Sequence, residues 1–430
     1  MNAKSIDQGI LPAPATSRSG DFIFVSSIYP VDDSGALVQP DSLSPYYGES
    51  AVAAQSRRIL ELLRDALAAG GSSLERTLKA EVALVDPADF YEFKLVWKEF
   101  FPDSPPARTT IVVGDDHIIE GCRLNLHAVA LASDASVERE VINPDTVADP
   151  MDAEHAPHAV KAIPFVFPSA FPATDFKSGV PVGRKPNFPN YGSDAEMQTQ
   201  YILETLSKVM EAAGTSVDQA VKSQFYETDL QNFYDIDEVW AKYMGLVPPR
   251  SSMAARGFLV PGAVFAPNLM YLVPDENHEK VETQKGIRWH PEQVRGVHFT
   301  PGMWAGDWLF LAGATSIADF GVHESIVKAP DALPHYWSDI ELQTDFVMDL
   351  LGEQITGNGL ELSDVVDARI YLTDTQRDYR GFARAWDRLF DGIENKPSMS
   401  IIPSNQADGD TGIMFPDPTI EIDLILRRGG

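Results

Sequence analysis

One unit is written three times along this chain. The stretches "AAQSRRILELLRDALAAGGSSLERTLKAEVAL" from Ala53, "EMQTQYILETLSKVMEAAGTSVDQAVKSQFYE" from Glu196 and "ELQTDFVMDLLGEQITGNGLELSDVVDARIYL" from Glu341 align without gaps, with Gln55, Gln198 and Gln343 in register. A period this long marks tandem copies of a whole domain, so the chain folds as three similar modules. Each copy opens on a strand-like segment with alternating aromatics: "GDFIFVSSIYP" from Gly20, "AIPFVFPSAFP" from Ala162 and "GDWLFLAGATS" from Gly306. A helix follows. Its apolar stripe is Ile59, Leu63, Ala66 and Leu67 in the first copy and Ile202, Leu206, Val209 and Met210 in the second. Gly70 and Gly214 are expected at positive φ, as helix C-caps.

A β-like stretch comes next, then a second helix in which an aromatic stands seven residues before a tryptophan. The pairs are Phe90 and Trp97, Phe233 and Trp240, and Tyr379 and Trp386. Seven residues is two helical turns, which puts both rings on one buried face. The strand–helix–strand–helix–strand order predicts three two-layer α+β modules, each with two helices covering one face of a sheet. The expected modules are residues 1–135, 155–276 and 292–430, joined by acidic linkers from Asp134 and from Asp275.

Composition narrows the function. With 34 basic against 63 acidic residues the net charge is −29, which repels nucleic-acid backbones and anionic membranes and so excludes both as expected partners. A small anionic substrate then needs a local cationic site. The single cysteine, Cys122, excludes an intrachain disulfide framework and a cysteine-based zinc site. No apolar run approaches the roughly 18 residues of a membrane helix, and the N-terminus lacks a signal-peptide core; the expected location is cytoplasmic. There is no phosphate-cradling glycine loop and no Ser-His-Asp order. His155 and His158 could in principle ligate a metal, but Pro157 and the linker context argue against it.

The arrangement "PPAR" ending at Arg108 recurs as "VPPR" ending at Arg250, whereas the third copy reads "NKPSM" with Met399 in that place. Together with "G-D-x-x-F-x-S", the helix ending "AAG", "KAEVALVD" and the aromatic-to-tryptophan spacing, these motifs resemble the YjgF family, the reactive intermediate (Rid) deaminases, over nearly the whole chain outside the linkers. The resemblance implies a chorismate-mutase-like fold in which three modules surround a threefold axis. Their sheets close a barrel, helices lie outside, and ligand clefts occupy the interfaces. Three modules on one chain imply a self-sufficient pseudo-trimer, open to further oligomerisation, whose interfaces are free to diverge.

The resemblance also implies site residues. The arginine binds a substrate carboxylate, a role its planar fork suits; the matching positions are Arg108, Arg250 and Met399. A glutamate of the closing strand positions a water; the matching positions are Asn125, Asn268 and Glu421. No copy keeps both groups. Because family clefts draw on two neighbouring modules, Glu421 joined to Arg108 or to Arg250 would form the complete cleft, and the sequence leaves open which. Ser26, Ser169 and Gly313 match the cleft floor, with Ser27 and Ala170 standing where the family has glycine. Asp423, on the same face of the strand as Glu421, would raise a carboxyl pKa by like-charge crowding. Lys94 and Asp237 occupy a family interface position, but as helix charges they are expected to be solvated.

The implied activity is cofactor- and metal-independent hydrolysis of an enamine or imine acid to a 2-oxo acid and ammonia, with a 2-aminomuconate-like dicarboxylate of aromatic-compound catabolism as the specific substrate. The alternative is a non-catalytic ligand-binding or regulatory protein. The ribonuclease role sometimes attached to the family fits poorly with the acidic charge.

Overall fold

The computed structural model describes residues 9–40, 48–183, 192–288, 297–318, 321–322, 339–405, 412–415 and 418–429. The expected module boundary at residue 292 lies outside them. The first module contains β1 (Thr16–Ser19), β2 (Phe22–Ile28), α1 (Ala51–Ala69), β3 (Thr77–Leu84), α2 (Phe90–Phe100), β4 (Ala107–Val112) and β5 (Leu124–Leu131). Its sheet runs β1-β2-β5-β3-β4. Only β3 and β4 are parallel, as the α2 crossover between them requires.

The second module repeats this with β6 (Glu140–Ile142), α3 (Met151–Glu154), β7 (Ala159–Ala162), β8 (Phe165–Pro168), α4 (Asp194–Ala213), β9 (Ala220–Glu227), α5 (Phe233–Tyr243), β10 (Arg250–Ala254) and β11 (Phe265–Leu272). The third has β12 (Lys280–Thr283), β13 (Gly302–Ala305), β14 (Trp308–Leu311), β15 (Ala314–Thr315), β16 (Ile317–Ala318), β17 (Gly321–Val322), α6 (Asp339–Gly357), β18 (Val365–Leu372), α7 (Thr375–Leu389), β19 (Ser398–Pro403) and β20 (Ile420–Arg427). The linkers are more than tethers: β6 and β12 each add an edge strand to the sheet that follows.

Local chemistry sets the helices. Ser50 caps α1 by accepting from Ala53 N at 3.1 Å, and Ser193 with Glu196 forms a reciprocal capping box on α4. Gly214 takes the left-handed conformation at φ 82° as expected, but Gly70 is helical at φ −74° and its neighbour Gly71, at φ 82°, makes the turn. Every member of both expected helix stripes is buried. Trp97, Trp240 and Trp386 are fully buried, each in its own module's core between helices and sheet.

The opposite faces of the three sheets meet one another. Phe22, Phe165 and Trp308 hold equivalent positions in β2, β8 and β14, and their rings form a triangle with centroid separations of 5.6, 5.6 and 5.7 Å. The core around them draws side chains from all three modules. This is a pseudo-threefold axis. The expected barrel, however, is not closed by a continuous ladder: the modules keep separate sheets, and isolated bridges such as Thr109–Ala170 and Met253–Ile413 cross between them. Serine hydroxyls take the place of the ladder at the sheet edges. Arg108 N donates to Ser169 Oγ at 2.9 Å, Met399 N to Ser26 Oγ at 3.0 Å and Ile401 N to Ser27 Oγ at 3.2 Å.

Candidate functional site

Three equivalent interfaces follow from this cycle. Each joins the "arginine" strand of one module to the opening and closing strands of the next. Arg108 meets Ser169 and its neighbour Thr109 meets Asn268 of the second module; Arg250 meets Gly313 and shares a cleft with Glu421 of the third; Met399 meets Ser26, and Ile401 of the same strand meets Asn125, of the first. The chain thus brings Glu421 together with Arg250 and not with Arg108.

The interface between the second and third modules holds a cleft of about 420 Å³. Arg250 and Ser252 enter it from β10, Gly313, Thr315 and Glu421 from the third module. Its walls are largely apolar: Leu230, Phe233 and Tyr234 on one side, Phe299, Leu350, Met414 and Phe415 on the other. Arg288 and Gln354 also line it. Arg288 is bound in a two-pronged ion pair to Glu353, at 2.8 and 2.7 Å, with both partners near half exposed.

Arg250 is held rigidly. Its guanidinium lies over Phe233, 4.5 Å from the ring centroid, and Phe225, at 4.9 Å. Its Nη1 donates to Asp237 Oδ1 at 2.5 Å, and the other oxygen of Asp237 accepts from His298 N and meets His298 Nδ1, each at 2.9 Å. Asp237 is therefore fully buried, contrary to the expectation of a solvated helix charge: the buried arginine supplies the compensation that makes its burial tolerable. The seven-residue aromatic also does more than pack. Phe233 is the platform under Arg250, as half-buried Phe90, 5.1 Å away, is under Arg108.

Glu421 sits on β20 at the cleft floor, 6% exposed. A Cβ at Gly313 would lie 1.8 Å from Glu421 Oε1 and 2.6 Å from Ser251 Oγ, so only glycine admits the carboxyl; the equivalent positions carry Ser27 and Ala170. Burial, and then the neighbouring Asp423, push the Glu421 carboxyl up to about 8, against the opposing pull of Ser251, Lys222 and Arg250. Asp423 is fully buried, pairs with Lys222 at 3.0 Å, and accepts from Ser251 Oγ at 2.8 Å. Lys222 and Ser251 come from the second module, so the acid pair is completed across the interface. Asp423 was legible in the alternation of β20. Lys222 and Ser251 were not, because only the cyclic packing brings them there.

At the other two interfaces the equivalent positions are filled by side chains. Arg108 is 1% exposed and pairs with Glu154 of α3 at 2.7 Å. Asn268 accepts from Thr109 Oγ1 at 2.8 Å and donates to Gln224 at 3.0 Å. Asn125 donates to Tyr29 Oη and Ile401 O at 3.1 and 3.0 Å, and Met399 is fully buried. Ser26 and Ser169 donate to Pro14 O and Pro157 O, each at 2.6 Å. None of Ser26, Ser169, Asn125 and Asn268 lines the open cleft. His155 and His158 each direct Nε2 at a backbone carbonyl, of Phe101 and Ala148 respectively, at 2.7 Å. Among the described residues no cluster of His, Cys, Asp and Glu has the makings of a metal site, and no helix is long and apolar enough to cross a membrane.

Fold and cleft together define a chain of three tandem α+β modules in a ring, with an open cleft between the second and the third. A family model described as Endoribonuclease L-PSP (Ribonuc_L-PSP) matches residues 14–131, 176–264 and 296–425, and the chain belongs to that family. The threefold match agrees with the YjgF/Rid resemblance read from the motifs. The RutC family protein PH0854 of Pyrococcus horikoshii is 31% identical over 103 residues, which is 24% of this chain and 74% of that protein. The 3-aminoacrylate deaminase RutC of Acinetobacter baylyi is 33% identical over 101 residues, 24% and 72% respectively. Among solved structures, a putative endoribonuclease from Klebsiella pneumoniae shares 27% identity and covers 27% of this chain and 98% of its own, with a TM-score of 0.26. A chorismatase structure covers 82% of this chain and 93% of its own at 11% identity and a TM-score of 0.48.

Proposed function

We propose that the cleft between the second and third modules hydrolyses an enamine or imine acid to a 2-oxo acid and ammonia. One observation carries this reading: Arg250 and Glu421, from different modules, line one cleft, in which burial pushes the Glu421 carboxyl up to about 8. Arg250, fixed on its aromatic platform, takes the substrate carboxylate. Protonated Glu421 delivers its proton to the enamine carbon, which gives the iminium. The resulting carboxylate then draws a proton from water as the water oxygen adds to the iminium carbon. Collapse of the carbinolamine breaks the C–N bond, releases ammonia and leaves the ketone. Orientation of the carbon against the water supplies much of the acceleration.

For the substrate we propose a conjugated acid larger than a three-carbon enamine, with a 2-aminomuconate-like dicarboxylate as the specific candidate. The cleft's volume and apolar walls suit a conjugated carbon chain. Arg288 offers a second cation at its wall, because a surface ion pair such as Arg288–Glu353 is worth only about 0.2–1 kcal/mol and exchanges readily. A non-catalytic binder is favoured only by the two filled interfaces. The test is ammonia release by the purified chain from 2-aminomuconate, and from imino acids generated in situ, against Glu421→Gln. Turnover that drops by roughly 10²-fold or more in the variant supports the enzyme. No ammonia release by either protein would leave a binding protein, and equal turnover in both would overturn the role given to Glu421.

A further inference from the structure

The first arginine is occupied by the protein itself. Arg108 has the same setting as Arg250: a guanidinium over aromatic rings, here Phe90, Trp97 and Phe93 at 5.1, 5.3 and 5.6 Å. It differs in its counter-charge. Arg250 is balanced by Asp237 of its own α5, whereas the equivalent residue of α2 is Lys94. The first module therefore places two cations where the second places a balanced pair. Both are satisfied from the linker: Arg108 Nη2 donates to Glu154 Oε2 and Glu154 O, at 2.7 and 2.8 Å, and Lys94 Nζ to Ala153 O at 2.8 Å. Arg108 Nη1 stays buried without a hydrogen-bond partner, so the guanidinium's second prong is unused. The segment is pinned to the first module next to Glu154, with Trp97 Nε1 donating to His155 O at 3.1 Å and His155 Nε2 meeting Phe101 O at 2.7 Å.

We infer that the interface between the first and second modules is a second carboxylate-binding site, held shut by α3, with the Glu154 carboxylate seated where a ligand's carboxylate would bind. The class of ligand is a small carboxylic acid, and a dicarboxylate suits the two cations, Arg108 and Lys94, that the departing segment would uncover. A tethered carboxylate has a high effective concentration at its own site, so free acids do not displace it in the native chain. Its removal converts a one-site protein into a two-site protein. The inference takes from the proposed function only the reading of Arg250 as a carboxylate anchor.

The experiment is calorimetric titration of the full chain with succinate. Wild type is expected to bind one succinate per chain, Glu154→Ala two, and Glu154→Ala with Arg108→Met one again. Glu154→Gln, which keeps the side chain's volume but removes its charge, is expected to gain the second site more weakly, and it stands in if the alanine variant fails to fold. Arg108→Lys in the Glu154→Ala background is expected to weaken the new site by 10-fold or more, since a point charge replaces the fork. If neither Glu154 variant gains a site over wild type, the inference is overturned. If wild type binds none and Glu154→Ala binds one that Arg108→Met removes, this inference stands and the carboxylate role of Arg250 fails.

Discussion

Replacing Asp423 by asparagine tests why Glu421 holds its proton. The two residues are two apart on β20 with side chains on one face, which sets their carboxyls roughly 7 Å apart at about 3.4 Å per residue. At an effective dielectric of about 20, two unit charges at that distance repel by about 2.4 kcal/mol, or about 1.7 pH units. Asp423→Asn removes this repulsion and also leaves Lys222, 3.0 Å from Asp423 in the native chain, as an uncompensated cation beside Glu421. Both effects favour the carboxylate. Burial lowers the lysine's own affinity for its proton, which trims the second effect. The Glu421 pKa, about 8 in the native chain, is expected to fall by about 1–2 units. If the acid form of Glu421 starts the reaction, the alkaline limb of kcat/KM moves to lower pH by the same amount, with the acid limb unchanged. The assay is ammonia release from an imino acid generated in situ across pH 5–10, beside the carboxyl ¹³C shift of Glu421. An unmoved or raised alkaline limb in a folded variant would refute the reasoning.

Glu421→Gln should stabilise the chain at high pH. A carboxyl with a raised folded pKa costs nothing below its unfolded value near 4.3. The cost grows as the pH rises from there to about 8, because the unfolded chain ionises while the folded one must not. Denaturant titrations should therefore show the variant more stable than wild type by a few kcal/mol at pH 8 and equal to it at pH 4; a constant difference at both would contradict this. Gly313→Ala should lower turnover by 10²-fold or more with the fold intact by circular dichroism, because its Cβ would stand 1.8 Å from Glu421 Oε1; near-native turnover would mean that Glu421 does no chemistry there. Arg369→Met should cost about 3–5 kcal/mol, read by chemical denaturation, because it strands Glu81, which accepts from Arg369 across the first and third modules at 2.6 Å. A loss below 1 kcal/mol would show that this buried pair does not set the modules' register.

The repeats, both helix stripes and the buried tryptophans were legible because periodicity reports local burial directly, and three copies in register report a cycle. The candidate pair was legible as a complement: Arg250 and Arg108 without a glutamate, Glu421 without an arginine. Which arginine Glu421 meets was not, since that depends on the direction in which the ring closes. Asp237 was misread because a carboxylate on a helix is normally solvated; only the arginine delivered from β10 makes its burial affordable. Glu154 carried no signal at all. In an acidic linker nothing marks one glutamate as the partner of a buried arginine 46 positions away in sequence. Ser26 and Ser169, which match the family's cleft floor, serve with Ser27 as hydrogen-bond closures between sheets.

The most direct measurement is the steady-state kinetics of ammonia release by two single variants, Arg250→Lys and Arg108→Lys. Lysine keeps the charge that balances Asp237 or Glu154 but cannot form two parallel bonds to a carboxylate. With one productive cleft, between the second and third modules, Arg250→Lys raises KM by 10-fold or more and Arg108→Lys leaves kcat and KM within about 2-fold of wild type. Equal losses from the two, or a greater loss from Arg108→Lys, would contradict it.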